Sequence, residues 1–282
     1  MSRRRPLQLD GRLAVVTGAG SGMGRASAEL LAARGCSLAV VDRDPDALRS
    51  LASELGGRGV AVSAHTIDLA DLAAVASLPD AVAAAHEQAP SILLNCAGVS
   101  MLGRFDQATL DEFRWVVDVN LWGTVAMTKA FLPALSGAGD AHIANVSSLY
   151  GLAAPSGRVP YVTSKFAVRG FTDALRHELE ATSVTVSAIY PGGVQTGIIH
   201  HARVAAAVAP GAAARAADAQ SALYRTTPAQ AAERIVDGIV RRRPRVFIGR
   251  DSRLSDLVTR VAPVGYWNLM RGIVAAAGDT RG

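Results

Sequence analysis

Tyr161 and Lys165 stand four residues apart in Tyr161-Val162-Thr163-Ser164-Lys165, and Ser148 lies thirteen residues before the tyrosine. On a helix, positions i and i+4 share a face. The ammonium of Lys165 then lies near the Tyr161 phenol, and a nearby cation favours the phenolate and lowers the phenol pKa. A tyrosine so placed can exchange a proton with an alcohol or carbonyl near neutral pH, with Ser148 holding the substrate oxygen. A Tyr/Lys pair at this spacing is a weak signal alone, so its weight depends on the elements around it.

Those elements alternate. Apolar runs at Leu13–Thr17, Ser37–Asp42, Val60–Thr66, Ser91–Asn95, His142–Ser147, Thr185–Tyr190 and Arg245–Ile248 read as strands. Between them, helical patterns cover about Met23–Arg34, a helix opened by Pro45, Asp71–His86, a long Leu110–Leu132 stopping near Pro133, Tyr161–Glu180 and Pro228–Arg241. Strands apolar throughout, alternating with helices, predict an α/β, doubly wound parallel sheet of about seven strands. The Ala-rich stretch Gly197–Thr227 has no clear strand and follows strand 6, where ligand loops lie in such sheets. It reads as a mobile lid with short helices. The whole of 1–282 reads as one domain, with its core at about 12–250, the lid at about 197–227 and a C-terminal extension at about 250–282.

The first strand runs into Thr17-Gly18-Ala19-Gly20-Ser21-Gly22-Met23-Gly24 and then a helix. Glycines there let the backbone approach a pyrophosphate, which helix N–H groups and the helix dipole stabilise. The spacing is GxxxGxG, not GxGxxG. Asp42 ends the second strand, where an acid hydrogen-bonds the adenosine ribose and repels a 2′-phosphate. That favours NAD. The adjacent Arg43 can accept a 2′-phosphate, which keeps NADP as the lesser alternative.

Taken in order, these motifs resemble the short-chain dehydrogenase/reductase family over about Leu13 to Ile248. The series is the Thr17–Gly24 turn, Asp68-Leu69, Asn95-Cys96-Ala97-Gly98, Asn120, Ser148, Tyr161/Lys165 and Pro191-Gly192 with Thr196. The resemblance implies a Rossmann-type fold, a nicotinamide cofactor and alcohol/carbonyl chemistry. It gives Asn120, Ser148, Tyr161 and Lys165 catalytic roles, with Lys165 also holding the nicotinamide ribose and Asn120 bending its helix and relaying a proton through a water. Gly18, Gly20, Ser21, Gly22, Met23, Gly24, Asp42 and Arg43 fall at the cofactor, as do Asp68 and Leu69 at its adenine. Asn95, Ala97 and Gly98 brace the central strand beside it. Cys96 stands where the family pattern has a second Asn. Pro191, Gly192, Val194 and Thr196 match the segment that receives the nicotinamide. Thirteen residues to the tyrosine selects Ser148 over Ser147, which is expected to turn inward.

The C-terminal extension resembles that of members acting on bulky apolar alcohols of lipid-, steroid- or retinoid-like type. Met101, Leu102, Leu149 and Tyr150 beside the expected cleft agree. One alternative is an NADP-dependent carbonyl or 3-oxoacyl-thioester reductase, for which Arg43 speaks. Another is a non-catalytic cofactor-binding protein on the same fold, against which the complete Asn/Ser/Tyr/Lys set speaks. The resemblance also implies a homodimer or homotetramer formed through helices matching Leu110–Leu132 and Tyr161–Glu180.

Composition narrows the partners. The chain has 282 residues, 50% hydrophobic and 19% charged, with a formal net charge of +5. Arg3-Arg4-Arg5 and Arg241-Arg242-Arg243-Pro244-Arg245 carry much of the excess, without the interleaved aromatics of a single-strand nucleic-acid binder. They read as solvated ends, with no nucleic-acid partner and peripheral membrane contact as a minor possibility. The apolar Val264–Ala277 stretch, broken by Arg271, can pack on the core, a partner or a membrane surface. Cys36 and Cys96 lie outside any CxxC or Cys/His pattern and read as buried free thiols. With no signal peptide and no bilayer-length apolar run, a cytoplasmic place is expected. The six histidines, His200-His201 included, show no trusted metal spacing, so no metal is expected.

Overall fold

The computed structural model describes residues 5–209 and 211–268. Seven parallel strands form the central sheet: β1 (Leu13–Thr17), β2 (Ser37–Asp42), β3 (Val62–Thr66), β4 (Pro90–Asn95), β6 (Ala141–Val146), β7 (Val184–Pro191) and β9 (Arg245–Ile248). Their order across the sheet is β3-β2-β1-β4-β6-β7-β9. The chain builds outward from β1 to β3 and then returns to place β4 on the other side of β1. The two connections diverge between β1 and β4, which opens a crevice at the carboxyl ends of these strands.

Period-2 alternation sends successive strand residues to opposite faces. Ala14, Val16, Leu38, Val40, Ile92 and Leu94 join one apolar layer. It is covered by α1 (Gly22–Ala33), α2 (Pro45–Gly56) and α8 (Pro228–Val240). Leu13, Val15, Ala39, Val41 and Leu93 join the other layer. Over it lie α3 (Leu72–Ala85), α5 (Gly123–Gly137) and α6 (Val159–Glu178). Both layers are buried, which is why these strands lack polar alternation.

Local signals set the helix starts. Asp44 accepts from the Asp46 and Ala47 amides at 3.0 and 3.1 Å, and Pro45 follows it. Thr227 and Gln230 form a reciprocal capping box, with Pro228 at the first helical position. The expected long helix differs from the observed one. It is α4 (Leu110–Val117), a π-helical turn at Asp118–Trp122, and then α5, which runs past Pro133 to Gly137. Pro133 removes one backbone donor, but Phe131 and Leu135 are buried on either side of it and hold the helix to the sheet.

The stretch read as strandless contains β8 (Arg203–Val204), which pairs in parallel with β5 (Met101–Leu102) in a second, two-stranded sheet. Two residues are too few to show a period. Within the same stretch lies α7 (Ala212–Ser221), and after β9 comes α9 (Arg250–Val261). Tyr266 accepts a hydrogen bond from the Ala154 amide at 3.1 Å. From residue 269 on, the predicted apolar tail, with Arg271, lies outside the described residues, as do Arg3 and Arg4. The second basic run is not simply solvated. Arg242 has only 6% of its side chain exposed and pairs with Asp140 at 2.5 Å, and Arg241 pairs with Asp237 and Arg245 with Asp256. Among the described residues, no helix is long and apolar enough to cross a membrane.

Candidate functional site

The glycine turn between β1 and α1 is compact because side chains do not fit. A Cβ on Gly24 would stand 2.1 Å from the Gly18 carbonyl oxygen, and one on Gly18, at φ +68°, would stand 2.8 Å from Ala97. The turn therefore lies against α1 and against the loop after β4. Gly20 donates its amide to Asp42 Oδ2 at 2.9 Å, and the Asp44 amide donates to Oδ1 at 3.1 Å. These bonds fix the carboxylate at the end of β2, with lone pairs remaining on each oxygen. Arg43 beside it is exposed, and its side chain takes part in no hydrogen bond or ion pair among the described residues.

A cleft runs across the switch point. Its walls bring together Gly18, Ser21, Gly22, Met23, Gly24, Asp42, Arg43, Asp68, Leu69, Ala97, Gly98 and Thr196 from the predicted set. The other predicted residues stand behind or beside it. Gly20 is turned towards Asp42. Asn95 bonds Thr128 Oγ1 at 3.1 Å and Asn145 Oδ1 at 2.9 Å, tying β4 to β6 and α5. Gly192 donates to the Ile248 carbonyl at 2.9 Å, extending the register of Pro191 with Ile248. Val194 is buried and bridged to Thr226. Cys96 enters the cleft wall, and burial pushes its thiol up to about 12.

Beside this cleft the four polar residues of the second motif group converge. Tyr161 and Lys165 lie one turn apart on α6, both buried. Lys165 Nζ is 5.7 Å from the Tyr161 ring centroid and donates to the Val146 carbonyl at 3.0 Å. A Cβ on Gly98 would approach both Lys165 Nζ and Asn120 Oδ1 at 3.2 Å, which places the lysine and asparagine behind the cleft wall. Asn120 sits in the π turn and is fully buried. It donates to the Val99 carbonyl at 3.0 Å and Ser164 Oγ at 2.9 Å, and accepts from the Val99 amide at 2.8 Å. The Ser148 side chain is close enough to the Tyr161 phenol to act downward on its pKa, and its Oγ accepts from the Tyr150 amide at 3.1 Å. Ser147 turns inward to the Lys165 carbonyl at 2.7 Å, as thirteen-residue spacing predicts.

Charge in this corner differs from the sequence expectation. Burial pushes the Tyr161 phenol up to about 12, outweighing the Ser148 side chain and the nearby Arg158 charge, which both act downward. Burial likewise pulls Lys165 down to about 8. Spacing revealed the lysine. It could not reveal how dry the site is, which depends on what the loops after β4 and β7 place over it.

Sequence reasoning missed Val99, Ser100, Ile198 and His201 in the cleft wall. It also missed a polar string beyond the tyrosine. Arg158 donates to Ser100 Oγ at 3.3 Å and to Gln220, and Gln220 donates to the Tyr150 hydroxyl at 3.2 Å. Tyr150 meets Tyr161 edge-on, with centroids 6.2 Å apart. An arginine three residues before Tyr161 was the one available signal. Among the described residues, no group of three or more His, Cys, Asp or Glu side chains is arranged to hold a metal ion.

Comparison with known proteins agrees with this arrangement. Residues 12–206 match the short chain dehydrogenase family. SadH of Mycobacterium tuberculosis is 37% identical over 268 residues, covering 94% of this chain and 96% of that one. A short chain dehydrogenase/reductase from Burkholderia phymatum, solved in complex with NAD, superposes with a TM-score of 0.83. It is 30% identical and covers 90% of this chain and 95% of its own. An alcohol dehydrogenase from Thermococcus sibiricus, complexed with 5-hydroxy-NADP, gives a TM-score of 0.69 at 26% identity over 80% of this chain and 89% of its own. The glycine turn, the switch-point cleft and the Ser148/Tyr161/Lys165 corner stand in a chain that belongs to the short-chain dehydrogenase/reductase family.

Proposed function

We propose that the protein is a nicotinamide-dependent oxidoreductase that interconverts an alcohol and its ketone or aldehyde. The observation carrying this reading is the convergence of Ser148, Tyr161, Lys165 and Asn120 beside a cleft lined by the glycine turn and Asp42. The cleft suits a dinucleotide. Its floor is glycine where a side chain would meet backbone, α1 begins at the turn, and the Asp42 carboxylate is held at the rim. A nicotinamide cofactor, when bound, supplies the hydride acceptor or donor.

The chain's own residues do the rest. Ser148 orients the substrate oxygen, and Tyr161 as phenolate takes the hydroxyl proton, or as phenol returns it in reduction. A positive charge on Lys165 favours the phenolate and lies where it can meet the nicotinamide ribose. Asn120 carries the proton path outward, and Thr196 and Val194 meet the nicotinamide end. The Asp42 carboxylate repels a 2′-phosphate, so NAD is preferred over NADP. Met101, Ile198, Tyr150 and Trp115 gather in one apolar cluster with Tyr161, which supports a largely apolar alcohol. We place the enzyme in the cytoplasm, as its two cysteines are free, and as a homodimer or homotetramer. Residues 197–227 are read as its lid.

The reading is tested by titrating wild type and Asp42→Ala with NADH and NADPH, following nicotinamide fluorescence. Wild type is expected to prefer NADH by at least about tenfold, the scale of one charge-assisted hydrogen bond, and Asp42→Ala to lose that preference. A wild-type preference for NADPH makes Arg43 the selector and favours the carbonyl reductase. Binding of neither dinucleotide overturns the reading.

A further inference from the structure

Arg158 is a buried cation with no anion. It is 9% exposed, at the residue preceding α6. Its side chain donates to two neutral oxygens, Ser100 Oγ at 3.3 Å and Gln220 Oε1. Among the described residues, no carboxylate lies within ion-pair distance of it. Arg242 shows the usual arrangement for a guanidinium so deeply buried, bonded to the Asp140 carboxylate at 2.5 Å. A guanidinium withdrawn from water is costly unless a counter-charge meets it. Two of the five donors of Arg158 are accounted for by these bonds.

Its position explains where a counter-charge would come from. Ser100 lines the cleft. Gln220 comes from α7 and also bonds Tyr150, whose ring packs edge-on against Tyr161. The charge of Arg158 acts on both Tyr161 and Tyr224. Around these groups the walls are apolar, with Met101, Ile198 and Trp115 among them. The corner therefore sets the Arg158 guanidinium, which has no carboxylate partner among the described residues, beside the apolar cluster that includes Tyr161, with Lys165 Nζ 5.7 Å from the Tyr161 ring and Arg203 already stacked on the Trp115 ring at 3.6 Å. This arrangement suits an amphiphile oriented by its charged group.

We infer that Arg158 binds an anionic group of the substrate, a carboxylate or a phosphate, and so selects alcohols that carry one on an apolar frame. The inference rests on the proposed role of Tyr161 in placing the substrate there. The planar fork of the guanidinium suits two oxygens of one anion. The Gln220 amide oxygen occupies one arm of that fork in this structure and gives way to the ligand. Arg158 is a specificity residue in this account, and Gln220 is its neutral stand-in.

The test uses binding, not turnover. The full chain, wild type, Arg158→Gln and Gln220→Ala, is titrated calorimetrically with hexanoate, hexyl phosphate and 1-hexanol. Wild type is expected to bind an anionic probe at least about tenfold more tightly than hexanol. The two anionic arms show which headgroup fits. Arg158→Gln is expected to lose the preference, and Gln220→Ala to keep it, because Gln220 only occupies the fork. Equal binding of hexanol and both anions by wild type overturns the inference. So does an anion preference that survives in Arg158→Gln or vanishes in Gln220→Ala. If Arg158→Gln does not fold, wild type and Gln220→Ala decide. Anion binding through Arg158 alongside full turnover in Tyr161→Phe would count against the proposed chemistry and leave the anion site standing.

Discussion

The two halves of the cleft are built differently. On the β1–β4 side the wall is backbone and glycine, with Asp42 locked by two amides. On the β5/β8 side the wall is side chains: a two-stranded pair, the Met101/Tyr161 cluster and the Arg158–Gln220–Tyr150 string. A backbone cradle fits a group common to many reactions, and its geometry can be read from glycine positions. A side-chain wall fits one substrate, and no short motif encodes it. The same chain thus holds a generic half and a particular half, meeting at Tyr161.

The sharpest way to break that division is to fill the cradle. Gly24→Ala puts a Cβ 2.1 Å from the Gly18 carbonyl oxygen. Overpacking of this kind costs about 1–3 kcal/mol or more, and NADH binding is expected to vanish with it. Urea unfolding and NADH fluorescence report the two losses together. Retained NADH affinity would mean that the turn is not the cradle.

The matching change on the other half is Gly103→Ala. Gly103 has φ +142°, and a Cβ there would stand 2.4 Å from Ala205 Cβ, across the β5/β8 pair. Displacement of the substrate wall is expected to lower kcat/KM for the alcohol on the order of tenfold or more, with NADH affinity unchanged. Parallel loss of cofactor binding would show that the halves are not separable.

A smaller, graded effect comes from pH. In the proposed mechanism proton abstraction requires the Tyr161 phenolate, and burial pushes the phenol up to about 12. Its ionised fraction rises with pH, so kcat/KM for alcohol oxidation is expected to climb between about pH 6 and about pH 10, while kcat/KM for carbonyl reduction is expected to stay nearly flat, because the phenol remains protonated throughout that window and free-enzyme ionisations govern both. An oxidation profile that falls across this window would place the base elsewhere.

The division also explains what was legible in the sequence. Uniformly apolar strands gave the parallel sheet, and Gly18, Gly24 and Asp42 marked the cradle because few other residue types tolerate those positions. Ser148 and Ser147 could be told apart, since spacing along one chain is itself geometric. The π turn at Asp118–Trp122 leaves no mark in the helical periodicity; it was legible only through the resemblance, which puts a bend at Asn120. The β5/β8 pair was hidden by its length. The Arg158–Gln220 bond joins residues 62 apart in sequence, and its α7 partner sits in an Ala-rich stretch without period. The desolvation that raises Tyr161 is a sum over many neighbours and belongs to no motif.

One measurement bears most directly on the chemistry: steady-state alcohol oxidation by Tyr161→Phe, with NADH binding followed in the same preparation. The phenylalanine keeps the ring against Tyr150 and removes only the exchanging oxygen. The account predicts a loss of turnover of at least about a hundredfold, the contribution typical of a positioned acid–base group, with NADH affinity nearly intact. Turnover close to wild type, with the cofactor bound, would contradict the assignment of Tyr161 as the proton-exchanging residue.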